Sequence, residues 1–131
     1  MTKKNWKKPD DGYAERWESQ LRKGSLEMAI LASLWHGRLY GLDILRALAG
    51  RSSLGLAEGI YLILNRLKND GFVESEWVDA GTGHPRKYYW LTAAGKDRLH
   101  EMARFWTRFS ADLNALLSPA SGSKEDSSVT R

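Results

Sequence analysis

The stretch from Val73 to Gly95 constrains the fold of this chain more than any other. Val73-Glu74-Ser75-Glu76-Trp77-Val78 alternates apolar and polar residues, which is the period of a half-buried strand. A second run, Arg86-Lys87-Tyr88-Tyr89-Trp90-Leu91, follows a Gly-containing loop from Asp79 to Pro85. Together they predict a β-hairpin. Thr92-Ala93-Ala94-Gly95 then starts a helix. His84, Arg86 and Lys87 crowd the hairpin tip. A basic β-ribbon beside helices suits contact with a nucleic-acid backbone; an ordinary surface hairpin with solvated charges is the alternative.

The hairpin is preceded by helical patterns. Residues 1–12 carry Lys3, Lys4, Lys7 and Lys8 and then Pro9-Asp10-Asp11-Gly12, which reads as a flexible basic arm. Tyr13, Trp17 and Leu21 recur every four residues and share one helix face. Lys23-Gly24 predicts the end of that helix, and Ser25 the N-cap of a second. Leu26 to Trp35 is apolar almost all round, as befits an interior helix. His36-Gly37 stops it, with His36 a capping or solvated residue. Tyr40 to Leu48 predicts a third helix with Leu42, Ile44, Leu45 and Leu48 turned inward. The fourth spans about Leu56 to Asp70, its apolar stripe being Leu56, Ile60, Ile63, Leu64 and Leu67. Glu58, Tyr61, Asn65 and Arg66 lie off that stripe.

After Thr92 the pattern changes. Leu99, Met102, Trp106, Phe109, Leu113 and Leu116 are spaced 3, 4, 3, 4 and 3 residues apart. This is an a/d heptad stripe. So narrow a stripe on a long helix suits a second copy of itself, which predicts a homodimer. Trp106 in the middle, with Met102 and Phe109 a turn to either side, either fills a dimer core or sandwiches a planar or cationic guest. Residues 118–131 are Ser-rich without periodicity and read as a disordered tail.

Several classes of function are disfavoured. The chain has no cysteine, hence no disulfide and no thiolate metal site. His36, His84 and His100 stand far apart, and no phosphate loop or nucleophile elbow occurs. An enzyme is therefore not expected, nor a cofactor, nor a metal. No run approaches the ~20 apolar residues of a membrane span, so a cytoplasmic protein is expected. The net charge of +4 is mild, and the first eight residues alone account for it.

The order helix–helix–turn–helix–hairpin–helix describes a mainly α fold with a small β-hairpin: a winged helix-turn-helix at 13–91 followed by a long dimerisation helix at 92–117. In such a fold the fourth helix enters the major groove of double-stranded DNA. Tyr40 and the free N–H groups beside it suit a phosphate, and Arg86 and Lys87 neutralise backbone charge. Tyr61, Asn65, Arg66, Glu58 and His84 complete the candidate contacts. A winged-helix module that binds protein and has lost DNA binding is the competing reading.

Four runs carry a family resemblance: Leu21-Arg22-Lys23-Gly24-Ser25-Leu26-Glu27, Leu39-Tyr40-Gly41-Leu42-Asp43-Ile44, Tyr61 with Leu64-Asn65-Arg66-Leu67, and Pro85 to Gly95. In this order they resemble the PadR family of bacterial transcription regulators over residues 21–117, in its short form with one C-terminal helix. The resemblance implies a homodimeric repressor with last helices exchanged across the dimer axis. It also implies a response to small aromatic or cationic compounds, with Trp106 matching a tryptophan at the dimer centre of some multidrug-responsive members. One segment departs from the pattern. The family begins its recognition helix with a Gly-Thr-Leu-Tyr-like run, and here it is Glu58-Gly59-Ile60-Tyr61. A helical Gly59 costs about 1 kcal/mol against Ala. Glu58 repels phosphate unless it accepts from a cytosine amine. Operator preference does not carry over from the family.

Overall fold

The computed structural model describes residues 12–51, 59–79, 81 and 83–130, with side chains as far as Ala120. The elements are α1 (Tyr13–Ser33), β1 (Leu39–Tyr40), α2 (Gly41–Ala49), α3 (Ile60–Asn69), β2 (Val73–Val78), β3 (Arg86–Leu91) and α4 (Ala93–Thr130). One core unites them. Ile30, Leu31 and Leu34 come from α1 and its end, Ile44 and Leu48 from α2, Ile60, Leu64 and Leu67 from α3, and Val73, Tyr89 and Leu91 from the sheet.

The predicted hairpin is present. β2 and β3 are antiparallel, with Val73 opposite Leu91 and Val78 opposite Arg86. A third strand escaped the sequence reading. β1 pairs with the other edge of β3, Leu39 opposite Tyr89 and Tyr40 opposite Tyr88, so β3 is central. Tyr40 therefore ends a strand and caps α2; it is not a helical residue.

Other boundaries also move. The expected break at Gly24-Ser25 does not occur, and α1 runs through both residues. Ser25 does not cap a helix: its Oγ donates back to the Leu21 carbonyl at 3.0 Å, the bond a serine makes inside a helix. The second half of α1 is anchored in the core by Ile30 and Leu31, and once formed a helix extends at one hydrogen bond per residue, which carries it through the weak propensity of Gly24. Leu42 is half exposed, not turned inward. The structure begins α3 at Ile60, with Gly59 as its N-cap at φ 77°. That left-handed backbone suits glycine, so Gly59 is not the helical defect its sequence position suggested. Leu56 and Glu58 lie outside the described residues. Basic arm residues 1–11 do too.

Thr92 caps α4 as expected. Its Oγ1 accepts from the Gly95 amide at 3.0 Å and donates to the Gly71 carbonyl at 2.6 Å. Gly95 lies so close to the Phe72 carbonyl that an added Cβ would collide with it. The helix does not stop at 117 but continues through Pro119 to Thr130, against the expected disordered tail. Once nucleated, a helix extends at one hydrogen bond per residue, which carries it into a segment with no apolar period.

Candidate nucleic-acid interface

The wing, α2 and the start of α3 enclose a cleft of about 560 Å³. The antiparallel register builds one wall. Trp77 stands directly opposite Lys87, and the Lys87 Nζ lies 5.6 Å from the Trp77 ring centre. Tyr40, opposite Tyr88 on the other edge, stacks on it with ring centres 4.0 Å apart. The Arg86 guanidinium sits 4.9 Å from the Tyr40 ring centre. A hydrogen bond with Tyr88, and secondly one with Arg86, holds the Tyr40 phenol below its ordinary pKa of 10.0. The Tyr88 phenol is raised, first by the same Tyr40 bond.

The floor is the first turn of α2. Gly41 is buried there, and a Cβ on it would stand 2.6 Å from the Tyr61 Cε1. Glycine at 41 is thus what lets the Tyr61 ring lie over the start of α2. Asp43 and Arg46 line the same cleft, 3.7 Å apart as an ion pair. Arg46, Arg86 and Lys87 outnumber Asp43, and the α2 amides add partial positive charge at its N-terminus. The cleft can therefore receive an anionic, phosphate-like group between aromatic walls.

The structure brings together four of the sequence-predicted DNA contacts: Tyr40, Tyr61, Arg86 and Lys87. Asn65 is exposed one turn along α3, outside the cleft lining, and His84 is exposed on the wing loop. Arg66 is placed elsewhere. It turns to α1, where its Nη2 lies 3.4 Å from the Glu27 Oε1. Glu58 lies outside the described residues. Arg46, Asp43 and Trp77 were missed. Trp77 was findable, since the alternation of Val73, Ser75 and Trp77 puts it on the face of β2 that carries Val73 into the core.

A second feature is the α4 stripe. Leu99 and Met102 pack against the core, while Trp106, Phe109, Leu113 and Leu116 remain exposed, Leu116 at 78%. Phe105 joins them, stacked 5.3 Å from Phe109. The Trp106 and Phe109 ring centres are 6.0 Å apart. Trp106 is the shared wall of two grooves between α1 and α4. One, of about 560 Å³, is lined by Leu21, Met28, Arg98, Met102, Phe105 and Phe109. The other, about 760 Å³, is lined by Leu21, Met28, Ala29, Leu99 and Ala103. Among the described residues no cluster of His, Asp or Glu could hold a metal ion. Among the same residues no helix is long and apolar enough to cross a membrane.

Comparison with known proteins agrees with this geometry. The profile of the transcriptional regulator PadR-like family matches residues 30–101. An uncharacterised protein of Lysinibacillus sphaericus is 30% identical over 91 residues, covering 67% of this chain and 84% of its own. A PadR-like transcription factor from Bacteroides fragilis is 37% identical with a TM-score of 0.63, covering 77% of this chain and 98% of that one. A PadR family regulator from Eggerthella lenta is 30% identical with a TM-score of 0.72, covering 82% and 94%. The wing, the helix pair beside it and this likeness together make the chain a member of the PadR-like family of transcriptional regulators, a DNA-binding winged-helix protein and not an enzyme.

Proposed function

We propose that this regulator is a cytoplasmic homodimeric repressor. Residues 13–91 engage duplex DNA and residues 92–117 join the two copies. The observation that carries the DNA-binding mode is the convergence of Tyr40, Tyr61, Arg46, Arg86 and Lys87 on one cleft beside the N-terminus of α2. A backbone phosphate there meets three cations and free amides. The exposed outward face of α3, with Tyr61 and Asn65, then lies against base edges.

The dimer rests on the exposed half of the α4 stripe. A contiguous run of large apolar side chains on a helix marks an interaction surface, and a two-fold copy of the same stripe is its simplest partner. A small aromatic or cationic ligand at Met102, Trp106 and Phe109 would relieve repression by favouring a dimer whose two α3 helices are wrongly spaced for DNA. It shifts nothing unless it binds that state more tightly.

Selection of bound duplexes from a random pool tests the reading. Recovered sites should be inverted repeats with half-sites about one helical turn apart. Recovery of no enriched sequence, or of single half-sites bound by a monomer, would overturn it.

A further inference from the structure

We infer that Glu27 is a positioning residue for DNA binding, holding α3 in place by bridging Arg66 on α3 and Arg98 on α4. This rests on the reading of α3 as the helix that faces DNA. Each carboxylate oxygen serves a different helix. Oε1 lies 3.4 Å from the Arg66 Nη2 and Oε2 lies 3.7 Å from the Arg98 Nε. The Glu27 side chain is only 23% exposed, against 58% for Arg66 and 42% for Arg98, so the carboxylate is the sheltered member of the tie.

Arg66 occupies a flank of α3 apart from the cleft. Five residues separate it from Tyr61, about 140° around the helix at 3.6 residues per turn. The cations that line the cleft are Arg46, Arg86 and Lys87, without Arg66. Arg98 is held from two sides. Its guanidinium lies 5.5 Å from the Phe72 ring centre, and its Nε is enclosed with no hydrogen-bond acceptor, which leaves Glu27 as its nearest compensating charge. It also lines the groove beside Trp106. Three helices thus meet at one carboxylate.

Such a tie adds to what the core does. Ile60, Leu64 and Leu67 bury α3 and fix which face it turns inward, but apolar contact is non-directional and leaves the fine angle of the helix to contacts on its flanks. A roll swings Tyr61 and Asn65 away from the groove. The Arg66–Glu27 hydrogen bond, with the Arg98 charge 3.7 Å behind it, opposes such a roll from the flank.

The alternative role for Arg66 is direct contact with phosphate. The two roles give opposite signs for one substitution. If Glu27 positions α3, Glu27→Gln weakens binding. If Glu27 merely competes with phosphate for Arg66, Glu27→Gln strengthens it.

The experiment is fluorescence anisotropy of the full-length protein on a labelled selected duplex over a range of salt concentrations. Glu27→Gln, Arg66→Met and Arg98→Met should each weaken binding about two- to fivefold. The slope of log affinity against log salt should stay at the wild-type value, because no phosphate contact is lost. The double variant Glu27→Gln/Arg66→Met should bind no worse than the weaker single variant, as members of one network do. Circular dichroism should give folded spectra for all four variants, and an isosteric Gln keeps the site filled. Tighter binding by Glu27→Gln, a salt slope reduced by about one in Arg66→Met, or additive losses would overturn the inference alone. A wild-type protein that binds no duplex would overturn the DNA-facing reading of α3, and this inference with it.

Discussion

Gly41→Ala separates folding from binding at one atom. The added Cβ would lie 2.6 Å from the Tyr61 Cε1, 3.0 Å from its hydroxyl and 3.2 Å from Cζ. Carbon atoms pack at about 3.5–4 Å, so the ring must move by roughly an ångström. It can, because Tyr61 is half exposed. The clash should therefore cost less than the ~1–3 kcal/mol of a rigid overpacked site. Against it stands a gain of about 0.4–1 kcal/mol from restricting the unfolded chain at a position whose backbone alanine can adopt. Net stability in urea should change by less than about 1 kcal/mol. DNA affinity should fall more, by about tenfold, if the displaced phenol loses one hydrogen bond of ~1 kcal/mol and its ring leaves the cleft wall. Repeating the substitution in a Tyr61→Ala background removes the clash. There Gly41→Ala should stabilise the protein and leave the remaining DNA affinity alone. Equal destabilisation in both backgrounds, or wild-type affinity in the single variant, would refute the packing of Tyr61 on Gly41.

Arg86→Ala and Lys87→Ala should weaken binding to all duplexes and lower the salt slope by about one each; an unchanged slope in the double variant would exclude the wing from the interface. Leu113→Lys places a charge where about 1.5–3 kcal/mol of apolar burial is expected per copy, so sedimentation should show the dimer shifting to monomer at micromolar concentration, and a wild type that is already monomeric would sink the dimer. Planar cationic dyes and phenolic acids should quench intrinsic fluorescence in the wild type and not in Trp106→Ala; undiminished quenching in the variant would leave Trp106 as packing. The Tyr40 phenol is held below 10.0 chiefly by Tyr88 and then by Arg86. As pH rises toward 10 it becomes anionic earlier than a free tyrosine, beside the expected phosphate. DNA affinity should therefore fall more steeply over that range than in Tyr40→Phe, and identical pH profiles would show that Tyr40 stands away from the phosphate.

What was legible in the sequence follows from which interactions repeat along it. The hairpin was legible because one face of β2 recurs every second residue, from the buried Val73 to Ser75 to Trp77, which is exposed toward the tip. The long last helix was legible because its stripe recurs over more than two heptads and its Thr92 cap is local. β1 was not, since two residues carry no period and its pairing partner lies some fifty positions away. Gly24-Ser25 resembles a helix boundary because propensity and capping are local signals, yet the helix anchored in the core at Ile30 and Leu31 propagates through both. At Gly59 the local signal was right about glycine and wrong about its place. The residue stands at the end of the helix in a left-handed conformation, where it helps.

The candidate site divides along the same line. Residue chemistry alone pointed to Tyr40, Tyr61, Arg86 and Lys87, and these four do meet in one cleft. Arg66 carries the same charge as Arg86 and sits on the helix expected to face DNA, so nothing local distinguishes it from a phosphate contact. The distinction comes from Glu27, thirty-nine residues earlier, which reaches it from α1 at 3.4 Å. Glu27 is only 23% exposed while its partner Arg66 is 58% exposed, so the pair leaves the Arg66 guanidinium open to solvent and within reach of a phosphate. That is why the sign of the change on replacing Glu27, more than the loss on replacing Arg66, decides which of the two roles the pair has.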